Sequence, residues 1–278
     1  MRVRSPAWSF ALGLLLLAGC RGGFPPAGPV ALIESSLVFQ PTQYPQGDWA
    51  PAGLAYEDVH FTAEDGTRLH GWYCPHPRPR AVVLLCHGNA GNITDWAGVL
   101  RHLNRDHGLA VMTFDYRGYG RSEGEPDEEG ILKDARAARA WLARRTGVAE
   151  RDVVLMGRSL GGAVAIDLAA KDGTRGLILE STFTSLPEVA GEQVAWLPFR
   201  LLMRNQLNSL KKIPRYHGPL LLSHGDADSL IPFEQSQRLF AAANEPKHFV
   251  RIPGGDHNDP QTPEYCRALD GFITALRR

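Results

Sequence analysis

Two pentapeptides fit the G-x-S-x-G pattern that surrounds many nucleophilic serines: GRSEG at 120–124 and GRSLG at 157–161. A serine hydroxyl attacks a carbonyl when a base takes its proton, a third group orients that base, and donors receive the oxyanion. A sharp turn between a strand and a helix supplies this geometry by lifting the serine above a sheet. GRSEG lacks that context. It follows the glycine-rich run Asp115-Tyr116-Arg117-Gly118-Tyr119 and leads into Glu123-Gly124-Glu125-Pro126-Asp127. The proline and the acids oppose an immediate buried helix, so Ser122 reads as a turn residue. GRSLG has the apolar run DVVLM (152–156) before it and AVAIDLAA (163–170) after it. That order predicts strand, turn and helix, with Ser159 as the candidate nucleophile. The helix N-terminus favours negative charge beside it.

The partners are sought where later strands end. PLLLS (219–223) leads into His224-Gly225-Asp226-Ala227-Asp228-Ser229-Leu230-Ile231-Pro232, and HFVRI (248–252) leads into Pro253-Gly254-Gly255-Asp256-His257-Asn258. Open α/β sheets place ligands at these carboxyl ends. His257 is the candidate base, because it follows the final strand. Asp226 and Asp228 both qualify to orient it, and turn chemistry explains either one equally well. The segment Leu84–Asn92 follows the third strand, where a second oxyanion donor is expected. The backbone amides of Leu160 and of Asn89 or Ala90 are therefore the candidate donors. His87 reads as a loop-closing residue. No H-x-x-x-H or H-E-x-x-H spacing joins the histidines, so no metal site and no cofactor are expected.

The elements that position these residues are legible as periodicity. EDVHF (57–61) and LHGWYC (69–74) flank an Asp-Gly turn signal and predict an antiparallel hairpin. Buried-strand runs follow at 81–86, 109–114, 152–156, 176–180, 219–223 and 248–252. Helical patterns over about 94–106, 129–146, 160–171, 233–243 and 262–277 separate most of them. This alternation predicts an eight-stranded, mostly parallel sheet with helices on both faces. Residues 181–217 break the alternation as an insertion. Its apolar residues (Leu186, Val194, Trp196, Leu197, Phe199, Leu201, Leu202 and Met203) suit either a cap over the site or a helix packed on the sheet.

Composition narrows the class. The 278 residues are 44% hydrophobic and carry 30 basic against 30 acidic side chains, with no basic block. One large α/β domain fits this better than two small ones, and nucleic-acid binding has little electrostatic support. Residues 1–19 combine Arg2 and Arg4 with an apolar run from Ala7 to Leu17, which is the layout of a secretory signal. The ending Leu17-Ala18-Gly19-Cys20 resembles the bacterial lipobox, which implies cleavage before Cys20 and its lipidation. Residues 20–55 read as a lipidated N-terminus, tether and arm; residues 56–278 read as the catalytic domain. Cys74, Cys86 and Cys266 form no C-x-x-C, Cys86 reads as core, and a Cys74–Cys266 disulfide is left open.

The motifs HGNAGN, DYRGYGRSEG, GRSLGG, HGDADSLIP and GGDHND, in that order, resemble the α/β-hydrolase superfamily of serine hydrolases over residues 56–278. HGNAGN and DYRGYG are similar to a membrane-associated branch that includes eukaryotic protein depalmitoylases. The resemblance implies an α/β-hydrolase fold with a short cap insertion. It also implies that H-G-x-x-D-x-x-V-P places the acid at Asp228, with Ile231 in place of the usual valine. It further implies that the DYRGYG loop lines or braces the site.

The expected chemistry is hydrolysis of a carboxylic ester or thioester through an acyl-enzyme, with a lipid-like or small acyl substrate. The expected location is the bacterial envelope, held by the lipid anchor. An aminopeptidase-like amide hydrolase ranks lower, because no acidic cluster stands ready to capture a free amine. A non-enzymatic envelope lipoprotein is the third possibility, since a fold alone does not fix a function.

Overall fold

The computed structural model describes residues 38–193 and 203–276. The expected signal segment 1–19, Cys20, the tether up to residue 37, and six of the insertion's apolar residues (Val194, Trp196, Leu197, Phe199, Leu201 and Leu202) lie outside the described residues. Among the described residues, no helix is long and apolar enough to cross a membrane.

Among the described residues, ten strands form two sheets. A short pair joins β1 (Gln40–Pro41) to β5 (Ala90–Gly91). The main sheet contains β2 (Glu57–Thr62), β3 (Arg68–Cys74), β4 (Val82–Cys86), β6 (Ala110–Asp115), β7 (Val154–Arg158), β8 (Leu177–Glu180), β9 (Leu220–Gly225) and β10 (Lys247–Ile252). Its order is β10-β9-β8-β7-β4-β6-β3-β2. β3 pairs antiparallel with both neighbours, and every other pairing is parallel. The eight strands expected from periodicity are all present. The small β1–β5 pair was not foreseen, since two residues carry no period.

Seven α-helices complete the described chain: α1 (Ala97–Arg105), α2 (Glu128–Thr146), α3 (Leu160–Asp172), α4 (Leu186–Gln193), α5 (Ser209–Lys212), α6 (Phe233–Ala242) and α7 (Pro263–Ala275). The central strands are buried on both faces because helices cover both faces. Leu84, Met112, Leu155 and Leu222 pack with Ile131 and Leu142 of α2, Val164 of α3 and Leu239 of α6. Val83, Leu85, Val111, Met156 and Leu221 pack with Leu100 and Leu103 of α1 and Leu269 and Ile273 of α7. Alternate residues of one strand thus feed two separate cores.

Helix ends follow their capping residues. Asp127 accepts from Gly130 N to open α2, and Gly147 in the left-handed region closes it. Thr262 caps α7, with Pro263 in its first turn. The described flanks of the insertion are fixed to α2. The Glu128 side chain accepts from the Leu207 amide at 3.0 Å, and Asn205 Oδ1 accepts from Glu128 N at 2.7 Å. Leu186, Met203 and Leu207 are buried in the core.

The arm ahead of the sheet is also packed. Val38 and Phe39 are buried, and Gln40 N donates to Asn89 O at 3.0 Å. Cys74, Cys86 and Cys266 are free thiols, so the disulfide left open by sequence is not formed.

Candidate active site

The strand-to-helix turn forms where β7 meets α3. Ser159 sits between them at φ 55 and ψ −121. A non-glycine residue holds such angles only when its surroundings impose them, and here two close backbone approaches do so. A Cβ on Gly161 would lie 1.9 Å from Cys86 O, and one on Gly157 would lie 2.1 Å from Gly161 O. The first turn of α3 is therefore pressed against the end of β4. Ser159 N donates to Glu180 O at 2.9 Å, and Ser159 O accepts from Thr182 Oγ1 at 2.8 Å. The Leu160 amide begins α3 and has no carbonyl within the helix to receive it.

Gly88 lies directly beside this turn, since its Cβ position is 3.8 Å from Ser159 Cβ. The loop after β4 thus reaches Ser159 with the amides of Asn89 and Ala90 next in sequence. Three features hold that loop. His87 Nδ1 bonds Gly88 O at 2.7 Å, Tyr116 Oη donates to His87 O at 3.0 Å, and Tyr119 Oη donates to Asn89 O at 2.8 Å. Burial drives the Tyr116 and Tyr119 pKa values upward, so both phenols stay protonated donors. Burial also lowers the His87 pKa and favours its neutral form. The DYRGYG segment therefore braces this loop through its two tyrosines.

Ser122 serves elsewhere. Its Oγ donates to Asp115 O at 2.6 Å and accepts from His70 N at 3.0 Å. It pins the turn after β6 to β3. Asp115, fully buried, accepts from Ile93 N at 3.0 Å and faces His70 Nδ1 at 3.4 Å.

His257 and Asp228 meet beyond the ends of β10 and β9. His257 Nδ1 lies 2.8 Å from Asp228 Oδ2. Asp228 Oδ1 accepts from the amides of Leu230 at 2.9 Å and Ile231 at 2.8 Å. Burial works to raise the Asp228 pKa. Hydrogen bonds from His224, His257 and the Ile231 amide outweigh it and hold the carboxyl well below the usual range. Asp226, the rival acid, is turned the other way: Arg251 Nε donates to it at 2.6 Å, and so does Gly254 N. Asp256 ties the two loops together, accepting from Ser229 N at 2.8 Å and His257 N at 2.7 Å.

Two residues of this site make contacts that the sequence does not signal. His224, fully buried, contacts Asp228 Oδ2 through Nε2 at 3.0 Å and is held by Ser236 Oγ at 2.6 Å. Arg158, the middle residue between Gly157 and Ser159, donates from its guanidinium to His257 O. Both are named in the motifs, but their partners depend on loop paths that no period encodes. Ser159, Asp228 and His257 all stand at the carboxyl edge of the sheet, on the ends of β7, β9 and β10. A serine beside helix-start amides, with an acid-oriented imidazole at the same edge, is the equipment for acyl transfer.

Comparison with known proteins agrees with the architecture. Residues 81–203 match the family model described as alpha/beta hydrolase fold. The chain is 41% identical over 259 residues to an uncharacterized protein of Mycobacterium tuberculosis, covering 92% of this chain and 84% of that protein. It is 34% identical over 266 residues to an alpha/beta hydrolase domain-containing protein of Arabidopsis thaliana, covering 86% of each. Among solved structures, an esterase of Pyrococcus furiosus superposes with a TM-score of 0.72 at 22% identity, over 87% of this chain and 98% of that one. The structural likeness speaks for the fold alone.

Proposed function

Because the chain belongs to the α/β-hydrolase superfamily, we propose that it is a serine hydrolase that cleaves carboxylic ester or thioester bonds. The observation that carries this reading is the pairing of the Ser159 turn with the His257–Asp228 contact at one sheet edge. His257 takes the Ser159 proton as the oxygen attacks the acyl carbonyl. Asp228 holds the imidazole and stabilises its charged form. The amides of Leu160 and of Asn89 or Ala90 receive the oxyanion. His257 then protonates the leaving group, and a water activated by the same imidazole releases the acid. No metal or cofactor enters this scheme.

The proposed location is the bacterial envelope, with the protein held by lipid on Cys20. Support comes from the basic start, apolar run and Leu-Ala-Gly-Cys ending of residues 1–20. The acyl substrate is proposed to be small or lipid-like.

Fluorophosphonate labelling tests the chemistry. The full chain should label, Ser159→Ala should not, and Ser122→Ala should. An ester series from acetyl to palmitoyl p-nitrophenyl would size the acyl pocket. A folded protein that neither labels nor turns over any ester would overturn the reading. The wild type should incorporate labelled palmitate and Cys20→Ser should not; no incorporation by the wild type, or unchanged incorporation by Cys20→Ser, would remove the lipid anchor from the proposal.

A further inference from the structure

We propose that His102, His107 and Cys266 form a binding site for a divalent transition metal, with zinc the best-fitting ion. His102 lies in the last turn of α1, His107 two residues beyond its end, and Cys266 in the first turns of α7. Their ligand atoms all lie within 4.8 Å of one another.

Two of the three separations are those of a ligand shell. Zinc–nitrogen bonds of ~2.0–2.1 Å and zinc–sulfur bonds of ~2.3 Å at tetrahedral angles set N···N at about 3.3 Å and N···S at about 3.6 Å. His102 Nε2 and His107 Nε2 are 3.2 Å apart, and His102 Nε2 and Cys266 Sγ are 3.6 Å apart. Two imidazoles and a thiol also suit zinc by softness.

The second argument is protonic. His102 Nδ1 lies 2.6 Å from Asp106 Oδ2, and His107 Nδ1 lies 3.1 Å from Asp270 Oδ1. A carboxylate accepts, so each ring carries its proton on Nδ1. In the neutral rings both Nε2 atoms present lone pairs, and they face each other. Two such acceptors at hydrogen-bond distance repel unless a cation, a shared proton or a metal ion, lies between them, and a metal ion also uses the Cys266 sulfur. Metal-bound histidines commonly show this arrangement, with the outer nitrogen donated to a carboxylate. Asp270 is itself anchored, since Arg80 Nη2 donates to its backbone carbonyl at 3.0 Å and Arg80 Nη1 to its carboxylate.

Binding replaces the Cys266 S–H bond by a metal–sulfur bond and releases that proton to the buffer. His107 is buried and His102 is half-exposed, so solvent can supply a water as fourth ligand. The site would fasten α7 to α1. Because α7 follows the loop that bears His257, the metal would stiffen one support of the proposed active site without touching it. The sequence offers only half of this, an H-x4-H pair within the spacing that zinc-binding histidines use. The histidines are five residues apart, and Cys266 lies 164 residues after His102.

Cobalt(II) titration of the full chain, purified in detergent without an affinity tag and stripped with a chelator, is the test. The expected result is one equivalent bound, with a thiolate-to-cobalt charge-transfer band and intense tetrahedral d–d bands that zinc bleaches. Cys266→Ser should lose the charge-transfer band, and His102→Asn should weaken binding at least tenfold. Zinc should raise the thermal midpoint of the wild type and not of Cys266→Ser. No band in the folded wild type, or an unchanged band in Cys266→Ser, would overturn the site. Both readouts are independent of ester turnover and of Ser159.

Discussion

The Arg158 guanidinium donates to the backbone carbonyl of His257, across 99 residues of sequence. The residue just before the proposed nucleophile therefore grips the loop that carries the proposed base. Arg158→Met should leave the elbow intact, because Ser159 N is held by Glu180 O and Ser159 O by Thr182. It should loosen the placement of His257. Misplacement by about 1 Å costs up to roughly 10²-fold in rate. The expected outcome is a fall in kcat with little change in KM, partly restored by Arg158→Lys. An unchanged kcat would remove Arg158 from the positioning machinery.

The two serines should separate cleanly. Ser159→Ala should lower turnover on the order of 10⁶-fold, as losing a triad nucleophile does, with the melting temperature little changed. Ser122→Ala should keep its rate and lose stability. It strips one partner each from His70 N and Asp115 O, both buried, and each unmet group costs about 1–3 kcal/mol. Paired kinetics and thermal melts of the two variants check this.

The reasons for legibility differ by residue. Ser159 was readable because its pentapeptide joins a buried strand to a small-residue helix. His257 was readable because it follows the last strand. The sheet was readable because each strand is an apolar run bounded by turns. Asp228 and Asp226 were not separable by spacing. Both sit in the loop after β9, and only the folded loop shows one facing His257 and the other facing Arg251. His224 and Arg158 act through contacts with loops, and loop paths leave no period. The β1–β5 pair was invisible for the same reason: two residues from a proline-flanked arm meet two from the loop after β4.

Gly161 is the tightest steric constraint at the turn. Gly161→Ala would bring a methyl against Cys86 O and His87 O, at 1.9 and 2.5 Å. Both are backbone atoms of the end of β4 and the loop beside Ser159, so neither can rotate away. The substitution should cost about 3 kcal/mol, the upper range for overpacking, and displace the loop that carries Asn89. Denaturant unfolding checks the first effect. Loss of fluorophosphonate labelling in the fraction that stays folded checks the second.

Asp228 links the site to pH. Its carboxyl is held below the usual range in the folded protein, because the hydrogen bonds from His224, His257 and the Ile231 amide outweigh the cost of burial. A group with a lowered folded pKa stabilises the protein above its unfolded value, about 4 for aspartate. That contribution is lost as pH falls from there through the folded value. Asp228→Asn should therefore be less stable than wild type at neutral pH, and the gap should narrow on acidification below about pH 4. A gap that stays constant with pH would show that the carboxylate charge is not what stabilises this corner. The same variant should lose about 10⁴-fold in kcat. His224→Phe should have a smaller effect of the same kind: it keeps the His257 contact but removes the 3.0 Å contact that His224 makes to the same carboxylate oxygen. If His224→Phe matched Asp228→Asn in rate, His224 would be the dominant orienting group, and the assignment of that role to Asp228 would have to be revised.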